Sequence, residues 1–373
     1  MTRTTDLLPR GLQDRLPHSA ARITAAMRAA LDVLDSHGYE RVRPPLLEFE
    51  SSLASRMRGV KTQNCFRVID PASLRMLALR SDITPQIGRI ASTSMKHALR
   101  PLRLAYCGDT ALIEASPLDP ARERLQLGAE LIGADTHEAA GEIVLLAIEA
   151  LGAAGLTGIS VDFTLPDLVE TLCARDEGID LDKLDAIRRE LDTKDAGGLR
   201  AEGGEDFLPL LYAAGAFDPA LEELRAFDTA GVLATRLDGL AQIARRIRAP
   251  GQTEVRLTLD PTERHGFEYQ SWFGFTIYAS DVRGAAGRGG TYTIAGTQEP
   301  AAGFTLYLDR MVDAIGGIER SRLVYLPLGH DESRAAELRG EGARTLRQLG
   351  EKEDPAALGC THVLDGAQMR PLA

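Results

Sequence analysis

At 373 residues the chain exceeds what one small core organises, and two or three domains are expected. It is 44% hydrophobic and 26% charged, the composition of a globular protein, and no run of about 18 apolar residues is present to cross a bilayer. Acidic residues outnumber basic ones 54 to 43, and the net charge of −11 argues against a broad nucleic-acid surface.

The opening MTRTTDLLPRGLQDRLP has no apolar core of a secretory signal, so cytoplasm is the expected compartment. Residues 19–38 carry Ile23, Met27, Ala30, Leu31 and Leu34 at helical spacing, which predicts an amphipathic helix stopped at Gly38. GYERVRPPLLE then reads as a short strand running into Pro44–Pro45. LRMLALR (74–80), LRLAYCG (102–108) and ERLQLGAELIG (123–133) have strand character, and Asp135 to Leu151 reads as a helix. VDFTL (161–165) is a further strand. Residues 166–250 are helical in pattern, with a glycine-rich break at AGGLRAEGGED. TEVRLTLD, FGFTIYAS and GGTYTIAG return to strands, and GFTLYLDRMVDAIG is expected to open a helix. The tail offers one strand, LVYLPLG, one helix across DESRAAELRGEGARTLRQLG, and a short THVL strand. Fifty residues are too few for a separate core on this reading, so the tail is expected to pack on the main body. Helices grouped apart from strands joined mostly by hairpins indicate an α+β fold with an antiparallel sheet.

Three stretches carry chemistry. In RLQLGAELIG, period-2 alternation sends Leu125, Leu127, Ala129 and Leu131 to one face and Gln126, Gly128 and Glu130 to the other. The second face reads as an amide, a gap and a carboxylate, with Gly128 leaving room for a ligand. A buried carboxylate needs a partner. Either a ligand bearing a cation or N–H donor supplies it, or an arginine of the chain does so as structural glue. In SDITPQIGRI (81–90), Thr84 and Pro85 read as the N-cap and first residue of a helix; Asp82 and Thr84 either merely finish that helix start or, as an acid and a hydroxyl at a strand-to-helix corner, hold an ammonium group. GAAGRGGTYT (284–293) is glycine-rich without the GK[ST] ending of a phosphate loop, and reads as a mobile surface turn. Cys65, Cys107, Cys173 and Cys360 form no CxxC pair, and the seven histidines form no HExxH, so free thiols and no metal centre are expected. GxSxG, Walker A and dinucleotide-binding patterns are also missing.

Taken in order, these pieces resemble the catalytic core of class II histidyl-tRNA synthetases. PRGLQD is similar to that family's N-terminal PRGxxD signature, and GYERVRPPLLE to its motif 1 at the dimer interface. LALRSDITPQIGRI resembles the LRPEGT segment. RLAYCGDTALIEA with RERLQLGAELIG resembles motif 2 and its return strand. HGFEYQSWFGFTIYA resembles the histidine-specificity segment RGLDYYTGTVFEIYA, and GGTYT resembles GGRYD. AAGFTLYLDRM is similar to motif 3. The similarity covers roughly residues 5–320. It implies a class II synthetase-like antiparallel sheet flanked by helices, in two parts (1–165 and 251–320). These are separated by a helical insertion (166–250) and followed by a small truncated α/β remnant (321–373).

The resemblance also implies a histidine-like pocket of Asp82, Thr84, Gln126, Glu130, Tyr269 and Gln270, the last in place of a second tyrosine. The ATP side departs from the family. Leu112 stands where motif 2 has an arginine, His265 where the specificity segment has one, and Tyr307 where motif 3 has a glycine beside the adenine. Arg310 keeps the motif 3 arginine. Losing one such electrostatic stabiliser costs about 10²–10³ in rate, and a tyrosine ring is large enough to fill the purine slot. Without a full anticodon-binding domain in the sequence, no tRNA partner is expected.

The resemblance therefore implies the family branch that regulates ATP phosphoribosyltransferase. Its members act as dimers within a hetero-oligomer, partnering a short-form catalytic subunit. They bind L-histidine as feedback effector, with no cofactor and no catalytic residue of their own. The alternatives are a shortened histidine–tRNA ligase and a stand-alone amino-acid-binding paralogue.

Overall fold

The computed structural model describes residues 8–54, 65–113, 120–173, 181–249, 254–263, 270–316 and 321–372. The chain divides into two compact units, Met1–Gly316 and Gly317–Ala373. Among the described residues no helix is long and apolar enough to cross a membrane.

In chain order the strands of the first unit are β1 (Glu40–Arg41), β2 (Leu47–Phe49), β3 (Arg67–Ile69), β4 (Met76–Leu79), β5 (Leu102–Ala111), β6 (Glu123–Ile132), β7 (Ser160–Thr164), β8 (Gly215–Ala216), β9 (Arg256–Leu259), β10 (Gln270–Tyr278), β11 (Gly287–Ile294) and β12 (Glu299–Tyr307). Its helices are α1 (Pro17–Ser36), α2 (Glu50–Ala54), α3 (Thr84–Ser92), α4 (His137–Ala153), α5 (Leu168–Cys173), α6 (Leu181–Asp192), α7 (Ala196–Ala201), α8 (Phe217–Phe227) and α9 (Ala234–Ile247).

Nine strands make one sheet in the order β1-β5-β6-β12-β11-β10-β7-β9-β8, and β2-β4-β3 make a smaller one. The expected antiparallel sheet is mixed: β1 runs parallel to β5 and β7 parallel to β9, while the central strands are antiparallel. One face supplies the main core, with Leu127, Ala129 and Leu131 of β6, Phe304 and Leu306 of β12, and Phe273, Phe275 and Ile277 of β10. Helix α4 lies against this face and also touches α1 and α9. That explains why its apolar residues run all round. Burial of Ile143, Val144, Leu146, Ile148 and Leu151 contributes on the order of 10 kcal/mol as an upper bound. Thr136 caps the helix, accepting from Ala139 N at 3.2 Å.

The opposite face carries α3, whose Ile83 approach, Ile87 and Ala91 pack with Leu104, Tyr106, Ile132 and Tyr292. Helix α3 begins at Thr84 itself, one residue earlier than expected, with Pro85 second. Its first amide is held from further back, by Asp82 Oδ1 accepting from Thr84 N at 3.2 Å.

The described residues between 168 and 247 are largely helical. Part of the glycine-rich break is itself helix, because Asp195 caps α7 by accepting from Gly197 N and Gly198 N at 2.8 and 2.9 Å. GGTYTIAG is a strand as expected, forming most of β11 (Gly287–Ile294) inside the sheet between β10 and β12, and the competing reading of GAAGRGGTYT as a mobile surface turn is corrected from Gly287 onward. A Cβ at Gly289 would lie 2.4 Å from the Phe275 ring, so this glycine serves ring packing rather than mobility. GFTLYLDRMVDAIG is a second correction, since Gly303–Tyr307 belong to β12 and only a single 3₁₀ turn, Leu308–Arg310, follows. Pairing with β6 on one side and β11 on the other holds that segment extended.

The second unit contains β13 (Leu323–Leu326), α10 (Glu332–Gly340), β14 (Arg344–Arg347), β15 (His362–Asp365) and β16 (Gln368–Pro371), with its sheet in the order β14-β13-β15-β16. The long helix expected over 331–350 stops at Gly340 and a strand takes over. The tail does have its own small core, of Val324, Leu326, Ala335, Leu338 and Leu364, because one helix laid on four short strands buries a face of each.

Close sheet spacing at Gly128 is testable. A Cβ there would fall 2.2 Å from the Phe304 carbonyl oxygen, which the sheet cannot move aside, and 2.5 Å from the Tyr106 hydroxyl. Gly128→Ala is expected to lose about 1–3 kcal/mol, read as a lower urea midpoint at constant m-value. A wild-type midpoint would contradict this packing.

Candidate functional site

Strand β6 brings Gln126 and Glu130 to the α3 face as alternation predicts, and both are buried. In register, Gln126 lies beside Gly108 and Tyr307, Gly128 beside Tyr106 and Thr305, and Glu130 beside Leu104 and Gly303. The turn entering α3 delivers Asp82 and Thr84 to the same place. Gln126 Oε1 accepts from Ile83 N at 3.1 Å, fixing the turn to the sheet. The Thr84 hydroxyl lies 3.2 Å from the Tyr106 hydroxyl. Tyr106 in turn lies 2.7 Å from the Thr305 hydroxyl and donates to Glu130 Oε1 at 3.4 Å. Tyr292 donates to Glu130 Oε2 at 2.8 Å.

Four of the six sequence-predicted site residues, Asp82, Thr84, Gln126 and Glu130, thus converge. Tyr269 and the arginine-position residue His265 lie outside the described residues. Gln270 begins β10 opposite Tyr292, and its side chain is outside the described set.

Two expectations are corrected. The space above Gly128 is not open to a ligand; it holds the Tyr106 phenol, whose hydroxyl would lie 2.5 Å from a Cβ there. The glycine that makes room for the carboxylate is Gly303, where a Cβ would collide with Glu130 Oε2. Nor is Glu130 glued by an arginine: its bonded partners among the described residues are hydroxyls. Tyr106, Tyr292 and Thr305 were missed by sequence reasoning. The available signal was a tyrosine at an inward position of an otherwise aliphatic strand, since a buried phenol requires a hydrogen-bond partner.

Burial dominates the electrostatics. Desolvation lifts the Glu130 carboxyl to about 8, Asp82's charge adds to the rise, and the bonds from Tyr292, Thr84 and Tyr106 oppose it. Desolvation likewise raises Asp82 against hydrogen bonds from the Thr84 and Ile83 amides and Gln126. The arrangement is an acidic, proton-holding cluster bonded to hydroxyls, in which a neighbouring cation would favour the ionised carboxylates.

The ATP-side departures are also placed. The Arg310 guanidinium carbon lies 4.6 Å from the Tyr307 ring centroid, and its Nη1 donates to Ala285 O at 3.0 Å. Tyr307 is raised by burial, with Arg288, Arg310 and Arg124 close enough to oppose the rise. Leu112 ends the β5 side of the hairpin, its N donating to Arg122 O at 2.8 Å.

Because the folded protein holds the Glu130 proton up to about pH 8 while the unfolded chain releases it near 4.5, the unfolded state binds fewer protons between those values. Stability contributed by this group is therefore present at low pH and lost as pH rises through about 8. Glu130→Gln, which cannot ionise, should gain on wild type by on the order of a few kcal/mol between pH 5 and 9. A difference between the two proteins that stays constant across that range would refute a proton-holding Glu130.

A family model described as histidyl-tRNA synthetase matches residues 11–311. The ATP phosphoribosyltransferase regulatory subunit of Rhodospirillum centenum is 39% identical over 375 residues, covering 98% of this chain and 96% of the relative. The same-named protein of Gluconobacter oxydans is 36% identical over 380 residues, 100% of this chain and 98% of the relative. Among solved structures, an ATP phosphoribosyltransferase regulatory subunit/histidyl-tRNA synthetase from Bacillus halodurans aligns with a TM-score of 0.80 at 25% identity, covering 96% and 97% of the two chains. A histidyl-tRNA synthetase from a Nostoc species shares the fold, with a TM-score of 0.76 at 14% identity over 96% and 90% of the chains. With its first unit matched by the family model and its relatives matched almost end to end, the chain belongs to the histidyl-tRNA synthetase family, beside members named as ATP phosphoribosyltransferase regulatory subunits.

Proposed function

We propose that this chain is a non-catalytic regulatory subunit of ATP phosphoribosyltransferase. It engages a short-form catalytic subunit as a dimer within a cytoplasmic hetero-oligomer, raises that subunit's activity, and transmits feedback inhibition by L-histidine without binding tRNA. Histidine occupies the pocket of Asp82, Thr84, Gln126 and Glu130, completed by Tyr269 and Gln270. The observation that carries this reading is the pairing of buried Glu130 with half-buried Asp82, which has no lysine or arginine bonded to either carboxylate among the described residues. A ligand ammonium supplies the missing cation, and the imidazole offers a second polar partner. The names of the relatives supply the catalytic partner. Arg310 stacked on the chain's own Tyr307, together with Leu112 at the motif 2 arginine position, speaks against adenylate chemistry. Regulation follows if histidine binds two assembly states unequally, since the difference in binding free energy biases the partner.

The test is turnover of a short-form catalytic subunit with and without this chain, repeated with histidine. Stimulation that histidine suppresses is the expected result, with no histidine-dependent ATP–pyrophosphate exchange by the chain alone. Absence of stimulation from a folded sample overturns the proposal, and exchange activity would return the chain to the ligases. Within the pocket, Glu130→Ala should weaken histidine binding about 10–100-fold, the range for losing a charge-assisted hydrogen bond. Unchanged affinity with lower stability would make Glu130 structural.

A further inference from the structure

The N-terminal PRGLQD segment takes no part in the pocket above, yet it is firmly built. Leu12 N donates to Pro9 O at 3.0 Å, and Arg122 N, at the start of the β6 side of the hairpin, donates to Gly11 O at 2.8 Å. Gly11 has φ +82°, and a Cβ there would lie 2.5 Å from Pro120 O, so the segment can lie this close only with glycine at that point. Pinned this way, it forms one wall of a cavity of about 510 Å³, with the first turns of α1 and the β5–β6 hairpin as the others. That volume is in the range of small-molecule sites and holds an amino acid with water around its charged ends.

The walls differ in chemistry. Leu12, Ile23 and Leu125 give an apolar floor. The hairpin contributes Asp109 and Glu123, which share the strand face of Leu125 and so point away from the side of Gln126 and Glu130. The N-terminal segment contributes Arg15, whose Nη2 reaches Asp309 O at 3.4 Å across the cavity rim. Beneath it Arg124 Nη1 and Asp309 Oδ2, both side chains 8% exposed, stand 3.7 Å apart, beyond hydrogen-bond length. Carboxylates on one wall and a guanidinium on another match a ligand with both charges and a short apolar body. A polyphosphate is disfavoured, because acids outnumber bases in the lining.

The geometry points to a second small-molecule site, for a zwitterionic amino acid, on the reverse side of the β5–β6 hairpin from Glu130. Its carboxylate faces Arg15 and its ammonium faces Asp109 and Glu123. The choice of amino acid rests on the regulatory reading, and L-histidine is accordingly the probe. The hairpin that separates the two sites carries Gln126 on one face and Leu125 on the other, so both ligands bear on the same pair of strands.

Equilibrium dialysis of labelled L-histidine against the full chain measures stoichiometry, compared with Ala20→Trp, Arg15→Glu and Glu130→Gln. Ala20 lines the cavity on α1, and an indole there fills the space without entering the core; Ala20→Ser is the size control. Arg15 is exposed, so reversing its charge does not threaten folding. Two equivalents per wild-type chain are expected. One should be lost in Ala20→Trp and weakened at least tenfold in Arg15→Glu, and histamine, which lacks the carboxylate, should fail to compete for it. Wild-type stoichiometry in both cavity variants overturns the second site, and loss of binding in Glu130→Gln at the same time leaves the regulatory reading standing. Loss of an equivalent in Ala20→Trp with none lost in Glu130→Gln keeps the second site and removes the first. No binding to any sample overturns both.

Discussion

A carboxylate inside a sheet, bonded among the described residues only to hydroxyls, is the constraint around which this face of the protein is arranged. Moving Glu130 out of water is costly, and the chain meets the cost by keeping the proton and surrounding both oxygens with phenols. Each neighbour follows from that choice. Gly303 is small because Glu130 Oε2 occupies the space of a side chain. Gly128 is small because Tyr106 must cross above it to reach the carboxylate, Thr84 and Thr305. Helix α3 packs Ile87 and Ala91 over the same strands, which excludes water from the cluster and deepens the shift.

The reverse face of the same strands has the opposite character. Leu127, Ala129 and Leu131 join a core that runs through α4 to α1 and α9. Strand β6 is therefore fixed on one side by area and on the other by hydrogen bonds. A one-residue slip would exchange the two sets, placing Glu130 under α4 and leucines among the phenols. That double penalty holds the register on which the pocket depends. The stack of Arg310 on Tyr307 lies at the end of the adjacent strand β12, opposite Gln126, so this stack and the acidic cluster occupy neighbouring rows of one sheet.

Much of this was legible in the sequence where the determinant is local. Period-2 alternation placed Gln126 and Glu130 on one face, and the α1 and α4 spacings matched helices that begin and end within two residues of expectation. What failed had non-local causes. The gap at Gly128 is filled from a strand 22 residues earlier, by Tyr106, which pattern reading of either strand alone does not reveal. The glycines of 284–293 read as a turn, although Gly289 is a packing requirement imposed by Phe275. Asp195 converts a glycine-rich stretch into a capped helix through side-chain acceptance at two amides, which outweighs the low propensity of Gly197 and Gly198. The tail was judged by length, whereas its core depends on how few residues one helix needs to cover four short strands.

The neutral state of Glu130 also bears on the histidine binding proposed for it. A neutral, hydroxyl-bonded carboxyl is tolerated at physiological pH, so the cluster as it stands is not under strong electrostatic stress. A cation bound there as proposed would lower the carboxyl's pKa, expel its proton and convert weak hydroxyl contacts into charge-assisted ones. Such binding would be linked to proton release, with affinity for a cationic ligand rising with pH until the free carboxyl ionises unaided near 8. The same change would alter the bonds Glu130 makes to Tyr106 and Tyr292, and Tyr106 is one of the contacts through which Thr84, at the first turn of α3, meets the sheet. A change of one proton on Glu130 would consequently bear on how α3 is held. Couplings of about 1–3 kcal/mol suffice for regulation, and exchanging a neutral for a charge-assisted hydrogen bond lies within that range.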